Sequence, residues 1–258
     1  MPKFSANLTM LFNEVDFLER FEKAAKAGFK GVEYLFPYAW KKEQLVERLG
    51  AYGLIQVLHN LPAGDWNKGE RGIACLPGRE TEFQDGVGKA IEYAKALKCP
   101  QVNCLVGLTP GGVPEAKVRK TLIANLRFAA AALEKEGIRL LLEALNDKDS
   151  PGFHLVRTAD VLGLIKEVGH PNVYVQYDVY HMQIMEGNLI KTMQANIDKI
   201  AHIQIADNPG RNEPGTGEIN YPNLFKAIDA AGYKGWIGCE YKPAGRTEDG
   251  LQWLSLYR

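Results

Sequence analysis

Three acidic residues sit where acids are least at home. Glu143 lies within the apolar run 139–145, Asp178 within 173–179 and Glu240 within 236–241. An ionised carboxylate in an apolar setting is strongly unfavourable unless it is paired or bound to a metal. For any one of them a buried ion pair is the ordinary explanation. Three at equivalent depth would repel one another, and few cations lie nearby in the chain to pair with them. A divalent cation resolves that conflict. A fourth polar residue, Gln204, lies in the similar apolar run 200–206 and offers an amide oxygen. Three carboxylates and one carbonyl make an all-oxygen set, which suits Mg²⁺ or Mn²⁺ better than Zn²⁺. No cysteine or histidine shows zinc-site spacing.

Other polar residues fall close to these runs. His59 closes the run 54–60, His181 follows Asp178 by three residues, and Lys242 follows Glu240 by two. Each is placed to meet a substrate oxygen, with loop capping as the plainer role for His181. His202 lies two residues before Gln204 and reads as a satisfied core histidine or one that supports Gln204. Residues 209–217 contain two prolines and three glycines, so they form neither helix nor strand and read as a rigid wall. Arg211 within that loop is a candidate for an anionic substrate; an exposed arginine is the alternative. Trp40 and Trp66 are pocket walls or packing anchors, and loop 61–77 is a candidate lid.

The elements that must position these residues alternate in type. Strand-like runs at 4–11, 31–35, 54–60, 101–106, 139–145, 173–179, 200–206 and 236–241 are separated by helical patterns at 16–27, 42–52, 80–97, 115–136, 158–168, 189–197 and 222–231. A short helix from about residue 248 closes the chain. Eight strand–helix alternations in 258 residues predict an α/β fold, a (β/α)8 TIM barrel spanning 1–258 as a single domain, a size typical of barrels of about 250 residues. In such a barrel the carboxyl ends of the strands build the site, where Glu143, Asp178, Gln204 and Glu240 fall. Neither a dinucleotide-binding nor a P-loop glycine signature is present.

Composition removes several function classes. Lys+Arg and Asp+Glu are both 31, so no basic excess exists to hold nucleic acid or an anionic membrane. No apolar run reaches the ~20 residues of a membrane span. The four cysteines, Cys75, Cys99, Cys104 and Cys239, form no C-x-x-C pair and read as reduced core residues of a cytoplasmic protein.

Five strings carry a resemblance: residues 59–66 (His-Asn-Leu-Pro-Ala-Gly-Asp-Trp), 69–75 (Gly-Glu-Arg-Gly-Ile-Ala-Cys), 176–183 (Gln-Tyr-Asp-Val-Tyr-His-Met-Gln), the long string 202–221 that contains Asp207-Asn-Pro-Gly-Arg211, and 238–243 (Gly-Cys-Glu-Tyr-Lys-Pro). Over essentially its whole length the chain resembles the hydroxypyruvate isomerase family of xylose-isomerase-like TIM barrels, which includes 2-oxo-tetronate isomerases. The resemblance implies that Glu143, Asp178, Gln204 and Glu240 bind the metal and that Glu143 and Glu240 also donate and accept protons. Related sugar epimerases tend to carry a histidine where this chain has Gln204. Hydroxypyruvate isomerases read Glu-Pro-Ile-Asn where this chain reads Glu143-Ala-Leu-Asn146, which leans the expectation towards the four-carbon 2-oxo-tetronate, with the three-carbon hydroxypyruvate as the alternative. The implied partner is a small sugar acid, held by His59, His181, Arg211 and Lys242. Such barrels often associate as homo-oligomers. The rivals are an epimerase or AP-endonuclease-type nuclease on the same barrel, and a non-catalytic sugar-acid-binding barrel.

Overall fold

The computed structural model describes residues 2–257. Eight strands, β1 (Lys3–Asn7), β2 (Gly31–Glu33), β3 (Ile55–Asn60), β4 (Gln101–Cys104), β5 (Arg139–Glu143), β6 (Val173–Asp178), β7 (Ile200–Ile205) and β8 (Trp236–Cys239), pair in parallel and in sequence order, and β8 returns to β1 to close the barrel. The helices are α1 (Arg20–Lys26), α2 (Lys42–Tyr52), α3 (Glu80–Leu97), α4 (Glu115–Glu134), α5 (Thr158–Val168), α6 (Val179–Met185), α7 (Leu189–Ala195) and α8 (Tyr221–Ala230). Their apolar faces follow the helical period: Phe83, Val87, Ala90, Ala94 and Leu97 of α3 and Val118, Leu122, Leu126, Ala129 and Leu133 of α4 are buried against the sheet. Left-handed Gly53 and Gly169 stop α2 and α5.

The core is split by the sheet. Most buried apolar side chains lie between strands and helices. A small inner plug, Val57, Leu58, Leu141 and Ala201 with Tyr174 and Trp236 against it, fills the barrel. Beyond it the interior turns polar, with Ser5, Asn7, Glu33, Asn103, Glu143, Gln176, Asp178 and Gln204 all buried. The plug supplies apolar burial at one end of the lumen and leaves the other for chemistry.

Two boundaries and one helix type differ from expectation. The first strand ends at Asn7 rather than Leu11, because the Asn7 side chain accepts from the Thr9 amide at 3.0 Å and its carbonyl from the Leu11 amide at 2.8 Å, which turns the chain. Helix α6 starts directly after β6, where a loop was expected, because Asp178 caps it. The terminal helix, Glu248–Tyr257, is 3-10.

Loop 61–77 is seated on the barrel mouth by its backbone. The Leu61 amide donates to the Asn103 carbonyl at 2.8 Å and the Cys75 amide to the Val106 carbonyl at 2.9 Å. Gly72 makes this seating possible: its φ is +113°, and a Cβ there would lie 1.8 Å from the Leu105 carbonyl oxygen. Gly72→Ala is expected to destabilise the fold by about 1–3 kcal/mol, the usual cost of overpacking, read as a lower urea midpoint; an unchanged midpoint would show that the loop can lift off β4 without cost.

Candidate metal centre and active site

Strand register assembles the site. Asp178 pairs with Gln204, Gln204 with Gly238 and Gly238 with Ser5, so these four form one row around the inside of the barrel. Glu143 ends β5, and Glu240 lies two residues beyond Gly238, its amide still donating to the Ile205 carbonyl at 3.1 Å. All three acids are buried: 4% exposed for Glu143, 2% for Asp178 and 6% for Glu240.

Their electrostatics follow from that burial. Loss of water pushes the Glu143 carboxyl well above its ordinary range, and the charges of Glu240 and Asp178 push it further. Burial likewise raises Glu240 to about 8, although Arg211 beside it favours its charged form. Asp178 divides its oxygens between two tasks. Oδ1 caps α6, accepting from the Tyr180 amide at 2.8 Å and the His181 amide at 3.4 Å. Oδ2 is buried without a hydrogen-bond partner. An orphaned carboxylate oxygen beside two glutamates of raised pKa is a donor set that fits a divalent cation. Glu143, Asp178 and His181 bring ligand atoms within 4.8 Å of one another.

His181 is the histidine of that cluster, and its hydrogen bonds argue against ligation. Its Nδ1 accepts from the Asn146 amide at 3.0 Å, so in the neutral ring the proton sits on Nε2. Burial lowers the ring to about 4 despite Asp178, which keeps it neutral. Nε2–H lies 3.6 Å from Asp178 Oδ2 and on the pocket wall, where it is a hydrogen-bond donor.

Gln204 is placed at the acids as expected, with its amide turned the other way. Its Nε2 donates to Glu33 Oε1 at 2.9 Å and Glu240 Oε2 at 2.5 Å, while its Oε1 accepts from Gln176 Nε2 at 2.6 Å. A half-turn of both amides would present Gln204 Oε1 to the acids and pair its Nε2 with Gln176 Oε1, which has no partner.

Arg211 is not an exposed arginine. Its Nη2 donates to Glu240 Oε1 at 2.9 Å, lies 3.8 Å from Asp178 Oδ2, and its guanidinium is 5.0 Å from the Tyr180 ring centroid. Asp207, wholly buried, holds the loop that carries it by accepting from the amides of Asn208, Gly215 and Ile219. The Lys242 amide donates to the Arg211 carbonyl at 2.8 Å. Lys242 itself is exposed on the same pocket wall.

His59 is not brought to this pocket. It pairs with Val102 and faces the helix layer, wholly buried, with its ring edge towards Tyr38 and its pKa lowered to about 4 by burial. Alternate strand residues face opposite sides, so Asn60 is the β3 residue that lines the pocket. Trp40 is a packing anchor, stacked on Phe17 at 3.8 Å, whereas Trp66 lines the pocket.

Below the acids lies a supporting layer of which the sequence points only to His202. Glu33 accepts from Ser5 Oγ at 2.8 Å and from Gln204, and its Oε2 lies 2.9 Å from His202 Nε2. Burial works against its charge, but His202 first, then Gln204 and Ser5, outweigh it and hold its carboxyl below the ordinary range. Gly238 makes room for it, since a Cβ there would lie 2.3 Å from Glu33 Oε1. Asn7 Nδ2 donates to Glu240 Oε2 at 2.9 Å, and Asn103 Nδ2 to Glu143 Oε2 at 2.9 Å. Glu33 closes a three-residue strand, too short for its alternation to be recognised.

Comparison with known proteins agrees with this geometry. Residues 21–257 match the family model described as xylose isomerase-like TIM barrel. Hydroxypyruvate isomerase of Escherichia coli (strain K12) is 58% identical over 258 residues, covering 100% of both chains. A 2-oxo-tetronate isomerase of Cupriavidus necator is 48% identical, covering 100% of this chain and 99% of that one. A crystal structure described as AP endonuclease, family 2, from Brucella melitensis is 48% identical over 100% of both chains, with a TM-score of 0.98. From its closed eight-stranded barrel and these matches, the chain belongs to the xylose isomerase-like TIM barrel family.

Proposed function

We propose that this protein is a keto–aldo isomerase that moves a carbonyl between C2 and C3 of a short 2-oxo hydroxy acid, with Mg²⁺ or Mn²⁺ held by Glu143, Asp178, Gln204 and Glu240. One observation carries the reading: two buried glutamates of raised pKa line one pocket of about 800 Å³, and among the described residues Asp178 Oδ2 beside them has no hydrogen-bond partner. The relatives named above support an isomerase. A cation bound there would supply electrophilic stabilisation of the negative charge that develops on the substrate oxygens.

The remaining chemistry belongs to side chains. In hydroxypyruvate a proton leaves C3 and one returns to C2, while the hydroxyl proton passes from the C3 oxygen to the C2 oxygen. One glutamate takes the carbon-bound proton and the other serves as its counterpart. Arg211 holds Glu240 Oε1 in place, and His181 Nε2–H donates to a substrate oxygen. Loop 61–77 shields the enediolate from water. The four-carbon acid leads on the residues after Glu143; the relative with 58% identity bears the three-carbon name. The two acids are alternatives that differ by one carbon. The burial of four free cysteines supports a reducing compartment such as the cytoplasm.

A nuclease on the same barrel is disfavoured by zero net charge and by an acid-rich site with a single histidine in its cluster. A non-catalytic binder has no need of two buried glutamates whose pKa is raised above the ordinary range.

Incubation with hydroxypyruvate and with 2-oxo-tetronate, followed by NMR, is expected to show isomerisation that EDTA abolishes and Mg²⁺ or Mn²⁺ restores. Glu143→Gln and Glu240→Gln should each lower kcat by at least about 10²-fold, the low end of general acid–base contributions. Activity that survives exhaustive chelation contradicts the metal; near-normal turnover of either variant contradicts the paired-glutamate scheme.

The raised glutamates also set a pH dependence. Without a cation the folded protein holds protons on Glu143 and Glu240 that the unfolded chain has already released above the ordinary 4.5. The native state therefore binds more protons, and stability falls as pH rises from about 4.5 to about 8. EDTA-treated protein should show a lower urea midpoint at pH 8 than at pH 6, and Mg²⁺ titration at pH 6 should release protons. A flat midpoint with no proton release would mean that both glutamates are already ionised.

A further inference from the structure

One cation on the pocket wall has no assigned task. Arg71 lies in loop 61–77, and its guanidinium carbon sits 3.9 Å from the Trp66 ring centroid. Its Nη1 donates to the Glu70 carbonyl at 2.8 Å and the Trp66 carbonyl at 3.3 Å. Among the described residues its Nε and Nη2 make no hydrogen bond, and it forms no ion pair.

The neighbouring acids explain why it is free. Glu70 is engaged twice by Arg79, through its Nη1 and, at 3.2 Å, through its Nη2, and accepts from the Asp65 amide. Asp65 pairs with Lys68 at 3.1 Å. Across the pocket Arg211 is committed to Glu240. Lys242 is also unpaired among the described residues, but its ammonium is exposed and no hydrogen bond to it holds it in place. Arg211 also keeps a buried Nε without a partner among the described residues, but its Nη2 is spent on Glu240; Arg71 has its whole Nε–Nη2 edge unused, held flat on an aromatic platform and pinned by two carbonyls.

A 2-oxo acid presents a planar carboxylate at C1, next to the reacting carbons. That group must be held apart from the three acids of the metal centre, which repel it. The Nε–Nη2 edge of a guanidinium matches a carboxylate with two parallel hydrogen bonds, and pre-organisation by stacking reduces the entropy lost on binding. We propose that Arg71 binds the substrate carboxylate on its Trp66 platform and so makes the enzyme select acids over neutral ketoses. The assignment rests on the isomerase reading above.

The test compares wild type, Arg71→Met, Arg71→Lys and Lys242→Met. KM and kcat are measured with hydroxypyruvate and 2-oxo-tetronate. Calorimetry follows hydroxypyruvate binding in the Glu143→Gln background, where turnover is blocked, and Mn²⁺ affinity is the control for the fold of the site. Arg71→Met is expected to raise KM and Kd for the acid about 10- to 100-fold, the range of a charge-assisted hydrogen-bond pair, with kcat and Mn²⁺ affinity near wild type. Arg71→Lys should recover part of the loss, and Lys242→Met should lose less acid affinity than Arg71→Met. Acid affinity within threefold of wild type in Arg71→Met overturns the proposal, as does a parallel loss of Mn²⁺ affinity or a larger effect at Lys242. Arg71-dependent binding in a wild type that isomerises neither acid would instead overturn the isomerase reading and leave the carboxylate site standing.

Discussion

Three carboxylates share one dry ring at the carboxyl end of the barrel, and the rest of the site is arranged around their mutual repulsion. Glu143, Asp178 and Glu240 are nearly inaccessible to water, so their charge must be met by protons, by a guanidinium or by a cation. The side chains divide that work. Arg211 takes one oxygen of Glu240, Asn7 and Gln204 take the other, Asn103 takes one of Glu143, and the α6 amides take one of Asp178. Asp178 Oδ2 remains without a bond. A divalent cation bound there would meet in one step the charge that protons on Glu143 and Glu240 otherwise neutralise.

Specificity of placement comes from the layer beneath. Glu33 and His202 form a wholly buried pair that touches Gln204 and, through Gln204, Glu240. The contacts of Glu33 with Ser5, His202 and Gln204 restrict the side chains above them to few rotamers. Gly238 is the steric counterpart, since only a missing side chain leaves room for the Glu33 carboxylate. Asp207 does similar work for the loop that carries Arg211.

The barrel was legible in the chain because its signal is repeated: eight apolar runs, each separated by a helical period, leave few alternative architectures. The acids were legible because carboxylates inside apolar runs stand out. What escaped depends on single-residue parity or on local caps. His59 and Asn60 are adjacent, and only the pairing of His59 with Val102 decides that Asn60 faces the pocket. Helix α6 follows β6 without a loop because Asp178 both ends the strand and caps the helix, a dual role that periodicity does not reveal. Glu33 was hidden by a strand of three residues, and Arg71 by a turn-rich loop without periodicity, although it stands in the string 69–75 that carries the resemblance.

The central claim is that the cation is held by oxygen alone, with His181 kept as a donor by the Asn146 amide. Anomalous diffraction from a Mn²⁺-loaded crystal tests this most directly. One manganese peak is expected within about 2.0–2.6 Å of oxygens from Glu143, Asp178, Glu240 and Gln204, with the Gln204 amide turned and His181 Nε2 outside the coordination sphere. A peak ligated by His181 Nε2, or a peak away from these four residues, would contradict it.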